Sequence, residues 1–355
     1  MANIFEGSKV NTILKDERYL YPDFVPEQLP FRDREIGEMV FCLKPATQGK
    51  KPSNLFLTGV PGSGKTVSSK YVLSELSEFS DRTKTIYINC FENNSQNSIL
   101  VKLTNLLGYP IPNRGLAIEE IFQRFIAVLR TKKIIPIVVF DEAEQLLKKE
   151  DTKKLLYDFS RLGEQFNLFL GMIFISNDPN FLSLLDDRVR SSLHASTLTF
   201  EKYTSLELKE ILKKRANFAF FPNTLENEVI PLSAAHASRL GDARIAITVL
   251  LNAARLAEKE NSKIVKVEHV RKSFMVERPV KVEISSNLTK QEQLILDFLV
   301  DKEVTAGEIY LKFKKDFAER TLRKAITDLE SKGVISAKKV KKGRGITRLL
   351  SKKAK

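Results

Sequence analysis

Through residues 1–200, short apolar runs alternate with amphipathic stretches, the pattern of strands and helices in turn. Asn54-Leu55-Phe56-Leu57-Thr58 reads as a short buried strand, and residues 67–76 behind it read as a helix. Ile134-Ile135-Pro136-Ile137-Val138-Val139-Phe140 is a β-branched apolar run of the kind required by a strand buried on both faces. Residues 168–175 form a third such run. Between them, residues 93–119 carry an apolar helical pattern through Ile99, Leu103, Leu106 and Leu107. The alternation predicts an α/β fold built on a parallel sheet.

Beyond residue 200 the pattern becomes helical. Residues 204–218 and 242–260 read as helices, the latter rich in the strong helix formers Ala and Leu. After Arg278-Pro279 the pattern changes again. Residues 289–300 predict a helix with Leu294, Ile295, Phe298 and Leu299 on one face. A second helix over 305–313 is capped by Thr305 with Glu308 three residues on, and a third over 317–332 ends at Gly333. Residues 334–340 and 345–350 then read as two strands around the turn Lys341-Lys342-Gly343-Arg344. Three helices followed by a basic hairpin is the order of a winged helix.

The length of 355 residues predicts two or three domains. Apolar residues at 43% and charged residues at 29% exclude a mainly disordered chain. The longest apolar run is too short to span a bilayer, and the first residues lack the basic-then-apolar pattern of a secretory signal. Cys42 and Cys90 alone supply neither a disulfide framework nor a four-cysteine zinc site. His194, His236 and His269 have no metal-ligand spacing. These features predict a cytoplasmic protein with no membrane partner. The formal net charge is +14, unevenly placed: residues 281–355 hold 19 Lys/Arg against 10 Asp/Glu, and residues 332–355 hold ten basic residues and no acidic one. Such a run is either a solvated tail or a surface for a polyanion, where clustered cations gain affinity by releasing counterions from phosphates.

Candidate chemistry begins with Gly59-Val60-Pro61-Gly62-Ser63-Gly64-Lys65-Thr66, which fits G-x-x-x-x-G-K-[ST] between the first strand and its helix. In that context Gly62, Ser63, Gly64, Lys65, Thr66 and Val67 are candidates for cradling the phosphates of ATP or ADP at a helix N-terminus. Lys65 is placed to reach the β- and γ-phosphates, and the Thr66 hydroxyl to ligate Mg²⁺. Asp141 and Glu142 follow the second apolar run. At the end of a central strand they are assigned to Mg²⁺ and to polarising the attacking water; the plainer alternative is that they start a helix. Asn177, in Ser176-Asn177-Asp178 after the third run, either touches the γ-phosphate or attacking water or sits in a turn.

With these motifs in order, the sequence resembles the AAA+ ATPases, specifically archaeal replication initiators akin to the eukaryotic origin-recognition and cell-division-cycle loading proteins. Residues 21–35 look like that family's N-terminal segment, which lies near the base, although Phe31 stands where a histidine is common. Asp187-Arg188-Val189-Arg190 resembles its box carrying an arginine finger, with Arg188 assigned and Arg190 as the alternative. Phe200-Glu201-Lys202-Tyr203 and Ile211–Ala216 resemble the start of a helical lid, which implies nucleotide contacts for Tyr203 and Arg215. Gly241-Asp242-Ala243-Arg244 resembles the second sensor, whose arginine faces the γ-phosphate. The resemblance implies a P-loop AAA+ base with its N-terminal segment over 1–200, an all-α lid over 201–280 and a winged-helix domain over 281–355. It also implies ATP-dependent binding of double-stranded origin DNA with slow, switch-like hydrolysis, beside sibling initiators and a replicative helicase on the nucleoid. For DNA, Arg320, Thr321, Arg323 and Lys324 are assigned to base edges. Lys338, Lys339, Lys341, Lys342 and Arg344 are assigned to phosphates, and Arg114 to an insertion contact. A nucleotide-gated transcriptional regulator and a transposition helper ATPase are the alternative functions.

Overall fold

The computed structural model describes residues 12–277, 289–299, 304–314, 316–331, 335–342 and 345–352. The chain divides into two units, Met1–Glu277 and Arg278–Lys355. In chain order the first carries α1 (Asp33–Thr47), β1 (Leu55–Gly59), α2 (Lys65–Phe79), β2 (Thr83–Asn89), α3 (Gln96–Leu106), α4 (Ile118–Lys132) and β3 (Ile135–Asp141). It continues with α5 (Glu150–Ser160), α6 (Leu162–Phe166), β4 (Gly171–Ser176), α7 (Asp187–Leu193) and β5 (Ser196–Phe200). The helices α8 (Ser205–Ala219), α9 (Val229–Ser238), α10 (Ala243–Lys259) and α11 (Val267–Glu277) complete it.

The five strands form one parallel sheet in the order β2-β3-β4-β1-β5. Alternation along each strand feeds two cores. Phe56, Val138, Phe140 and Phe174 join the helices α3 to α5 on one face, while Leu55, Leu57, Ile137, Val139 and Ile173 join α1 and α2 on the other. Every residue of β3 and β4 is buried, which is why their sequences read as continuous apolar runs. The third predicted strand starts late: pairing begins at Gly171, opposite Ile137. Leu106, expected on the apolar face, is exposed at the last turn of α3, whereas Leu107 is buried.

Helices α8–α11 form a separate core around Leu208, Leu212, Val229 and the small residues Ala246, Ala253, Ala254 and Ala257. α8 starts with a reciprocal capping box between Thr204 and Glu207. The segment over 21–35 reaches the base, where Arg32 Nε donates to the Ser63 carbonyl at 2.9 Å, while the residues ahead of it turn to the lid. Ile13, Leu14 and Leu20 insert into the lid core, and the Ile13 N–H donates to Glu258 Oε1 at 2.8 Å. Apolar side chains without helical periodicity find cover there.

The second unit contains α12 (Lys290–Phe298), β6 (Val304–Thr305), α13 (Ala306–Phe313), α14 (Glu319–Ser331), β7 (Ile335–Lys342) and β8 (Gly345–Lys352). Its sheet order is β6-β8-β7, antiparallel. Leu294, Ile295, Phe298 and Leu299 all pack on its core with Ile309, Leu322, Ile326 and Leu350. The hairpin is tighter than the sequence suggests: Lys341 and Lys342 belong to β7, and Lys342 pairs with Gly345.

Phe174 is fully buried, its ring 5.4 Å from that of Phe140 and 5.6 Å from that of Phe181. Phe174→Ala should cost about 3–5 kcal/mol, read as a lowered denaturant midpoint for the first unit.

Candidate nucleotide site and nucleic-acid interface

The C-terminal ends of β1, β3 and β4 are neighbours in the sheet, where parallel α/β folds place ligands. From β1 the loop turns through Gly62 (φ 71°) and Gly64 (φ 99°) into α2. Both glycines are also demanded by space. A Cβ on Gly62 would fall 1.7 Å from Asp242 Oδ1, and one on Gly64 would fall 2.7 Å from the Tyr203 hydroxyl. The lid therefore touches the loop directly, and the Ala243 N–H donates to the Gly62 carbonyl at 3.3 Å.

Lys65 reaches back across this loop. Its ammonium donates to the carbonyls of Gly59 (2.8 Å) and Val60 (2.9 Å) and to Asn177 Oδ1 (3.0 Å). Burial pushes its pKa down to about 8, against the opposing pull of Asp141. At the end of β3, Asp141 Oδ2 accepts from the Thr66 hydroxyl at 2.9 Å and from the Tyr87 hydroxyl, while Oδ1 accepts from the Glu142 N–H at 2.9 Å. Burial raises the Tyr87 pKa, and the bond to Asp141 adds to it. Glu142 adopts φ 54°, and its pKa is raised by burial and then by the charges of Asp141 and Glu144.

Base, lid and N-terminal segment enclose a cleft of about 410 Å³ that Gly62, Gly64, Lys65, Thr66, Val67, Asp141, Glu142, Asn177, Tyr203, Arg215 and Arg244 all line. Ser63 lies under the loop, and its buried hydroxyl has no protein partner. The residues fit a nucleotide. Loop amides and Lys65 suit phosphates, and Ile211, Ile247 and the prolines 22, 26 and 30 offer an apolar bed for a flat base. They also fit Mg²⁺, since Thr66 and Asp141 present adjacent oxygens. No group of three or more His, Cys, Asp or Glu among the described residues is placed to hold a metal. Two protein oxygens completed by phosphates and water is the usual Mg²⁺ arrangement.

Two of the predicted contacts have other work. Arg215 is buried; Nη1 donates to the Tyr19 carbonyl (2.8 Å) and Nη2 to that of Phe24 (3.1 Å), so it fastens the N-terminal segment over the cleft. Tyr203 packs its ring 3.9 Å from the guanidinium of Arg32. Arg244 is half-exposed at the start of α10 and pairs with Asp242 at 3.3 Å. Arg188 and Arg190 lie on α7 and do not line the cleft; Arg190 pairs with Asp187 at 2.6 Å. Sequence reasoning missed Tyr87 and Arg32. The parallel register carries the signal for Tyr87: it pairs with Val139, two residues before Asp141.

Residues 48–179 match the family described as AAA domain, and residues 209–275 match the Cdc6 AAA+ ATPase-type lid domain. The ORC1-type DNA replication protein 1 of Sulfurisphaera tokodaii is 34% identical over 350 residues, covering 94% of this chain and 88% of that protein. Its counterpart in Aeropyrum pernix is 32% identical over 373 residues, covering 99% and 94%. The chain belongs to the ORC1-type DNA replication proteins. The solved structure of the Aeropyrum pernix ORC1 protein in complex with DNA superposes with a TM-score of 0.78 at 32% identity, covering 97% of this chain and 94% of that one. Cdc6p from Pyrobaculum aerophilum shares the fold, with a TM-score of 0.67 at 23% identity. As AAA+ proteins, ORC1-type chains are nucleotide binders.

In this ORC1-type chain Arg320, Thr321, Arg323 and Lys324 are all exposed in the first turns of α14. Arg323 Nη2 donates to Glu319 Oε1 at 2.6 Å. Lys338, Lys339, Lys341 and Lys342 occupy positions of β7, their side chains outside the described residues; Arg344 lies outside them entirely. Arg114 is exposed between α3 and α4. No helix among the described residues is long and apolar enough to cross a membrane.

The Lys65 pKa of about 8 has a testable sign. Phosphate oxygens favour the charged form, so nucleotide binding raises this pKa and takes up a proton wherever free Lys65 is partly neutral. At pH 8.5 ADP is already fully ionised. Calorimetry there, in buffers of different ionisation enthalpy, should give net proton uptake; none would remove the assigned cause.

Proposed function

We propose that the chain is an ATP-dependent switch that binds double-stranded origin DNA to start or regulate replication. The observation that carries this reading is the shared cleft. Lys65 and Thr66 come from the base and Arg244 from the lid, around one volume. A nucleotide held by both sets the angle between them.

In the proposed reaction, loop amides and Lys65 hold the phosphates, and Thr66 and Asp141 hold Mg²⁺. Bound there, Mg²⁺ neutralises charge developing on the phosphate oxygens. Glu142, whose raised pKa makes it a better base, orients and deprotonates the attacking water. Asn177, which accepts from Lys65, touches the γ-phosphate or the attacking water in this reading, and Arg244 adds a charge-assisted hydrogen bond that a triphosphate uses more than a diphosphate. Arg188, or Arg190, acts in trans from a neighbouring initiator, so turnover is slow in the isolated chain.

The DNA reading rests on the Aeropyrum pernix ORC1 complex and on the basic second unit. Arg320, Thr321, Arg323 and Lys324 read base edges from α14, the strand and turn cations meet phosphates, and Arg114 adds a separate contact. Sibling initiators and a replicative helicase are the protein partners, with the protein at the nucleoid in the cytoplasm. A footprint on origin DNA that appears with ATP and changes with ADP supports the switch; protection independent of nucleotide contradicts it.

Glu142→Gln should keep ATP affinity while slowing turnover about 10²–10⁴-fold, measured as phosphate release. If about five phosphates are neutralised, log K should fall against log salt with a slope of roughly −4 to −5. Replacing Lys341 and Lys342 together by Ala should flatten that slope by about 2, and an unchanged slope removes the phosphate contacts.

A further inference from the structure

Arg32 is a buried cation, 4% exposed, that none of the chemistry assigned above uses. Its Nε donates to the Ser63 carbonyl at 2.9 Å, Nη2 to the Glu201 carbonyl at 2.7 Å and Nη1 to the Phe31 carbonyl at 2.9 Å. Glu35 lies 3.7 Å from Nη1, and the guanidinium lies 3.9 Å from the Tyr203 ring centroid and 5.6 Å from that of Phe200. The chain delivers Arg32 through strain. Phe31, just before it, has φ 64°, a left-handed conformation that is an outlier for a bulky residue and persists only where its surroundings over-determine it.

The bond to Ser63 matters because of the peptide that follows. In a trans peptide the carbonyl and the next N–H point in opposite directions, and no cis bond occurs among the described residues. With the Ser63 carbonyl turned onto Arg32, the Gly64 N–H is turned away from Arg32, and Gly64 lines the cleft whereas Arg32 does not. Arg32 also holds Glu201, where the chain leaves β5 for α8, so this donor and the base–lid junction share one anchor. Glycine at 64 leaves room for both: a Cβ there would meet the Tyr203 hydroxyl at 2.7 Å and Arg32 Nε at 3.4 Å.

We infer that Arg32 is a positioning residue that orients the Ser63–Gly64 peptide so that the Gly64 amide meets the diphosphate of the bound nucleotide. This deepens the nucleotide-binding reading and rests on it. A methionine at position 32 has a similar length and donates to neither the Ser63 nor the Glu201 carbonyl. A lysine keeps the charge over Tyr203 but lacks the planar fork.

The test uses full-length protein labelled with ¹⁵N-glycine, titrated with ADP as wild type, Arg32→Met and Arg32→Lys. In the wild type the Gly64 amide should shift downfield as it acquires a phosphate acceptor. In Arg32→Met that shift should be lost while Gly62 still responds, with ADP affinity at least tenfold weaker (a change of about 1.4 kcal/mol); Arg32→Lys should be intermediate. A merely structural arginine would not single out one amide. Wild-type affinity or an unaltered Gly64 shift in Arg32→Met overturns the inference. If that variant fails to fold, the same result in Arg32→Lys overturns it. No ADP binding by the wild type would instead defeat the nucleotide reading.

Discussion

The lid can close on the phosphate loop only because the loop presents no side chains at the points of contact. Gly62 lies against Asp242 and Gly64 against Tyr203, each at a distance where a methyl group would overlap. The same two residues supply the positive φ angles through which the loop turns into α2. One sequence choice thus meets two separate demands, backbone conformation and close approach. Any side chain at Gly62 would push the start of α10, and with it Arg244, away from the phosphate loop. The geometry of the lid is therefore written in the base as much as in the lid itself.

Electrostatics divides the cleft in a way that suits a polyanion beside a cation. Carboxylates gather at the end of β3, where Asp141, Glu142 and Glu144 stand close enough to raise the Glu142 pKa after burial has done so. Lys65 and Arg244 stand opposite, and their mutual repulsion adds to the desolvation that depresses Lys65. Each cluster is destabilised by its own like charges. A phosphate tail relieves the cationic side and a divalent cation relieves the acidic side, so loading both together offsets two penalties at once. The Ser63 hydroxyl, buried and unpartnered, marks a further polar group left unsatisfied by the protein itself.

The parts of this site that were legible in the sequence are those encoded within a few residues. The phosphate loop, Asp141-Glu142 and the second-sensor arginine each lie in a short motif between recognisable elements, and the structure brings them to one cleft. The strand and helix pattern was legible for the same reason, since periodicity is local. Tyr87 and Arg32 were not, because their roles depend on pairing across the chain. Tyr87 meets Asp141 only through the β2–β3 register, and Arg32 meets Ser63 and Glu201 only once three distant segments are packed. The cover given to the residues ahead of Tyr21 was not legible for a third reason. Ile13, Leu14 and Leu20 have no repeating pattern, so nothing in their spacing tells lid from base. Arg215 lines the cleft, and its Nη1 and Nη2 also donate to backbone carbonyls of the N-terminal segment, a second task that position in a motif does not reveal.

In the second unit, magnitudes decide how the proposed DNA face works. Leu322, Ala325, Ile326 and Leu329 turn inward, leaving Arg320, Thr321, Arg323 and Lys324 exposed. Arg323 is held by Glu319 one turn earlier and lies 5.7 Å from the Tyr310 ring. Both contacts are solvent-exposed, so each holds the side chain only weakly. A bidentate contact to a guanine edge discriminates by about 1–3 kcal/mol. Arg323 can therefore be drawn onto DNA, but much of its gain offsets what it leaves behind. The pair with Glu319 instead pre-orders the side chain and weakens its pull on any phosphate it meets. Sequence discrimination by α14 should then depend more on Arg320, one turn earlier on the helix, with Arg323 engaging only where a correct base repays the broken pair.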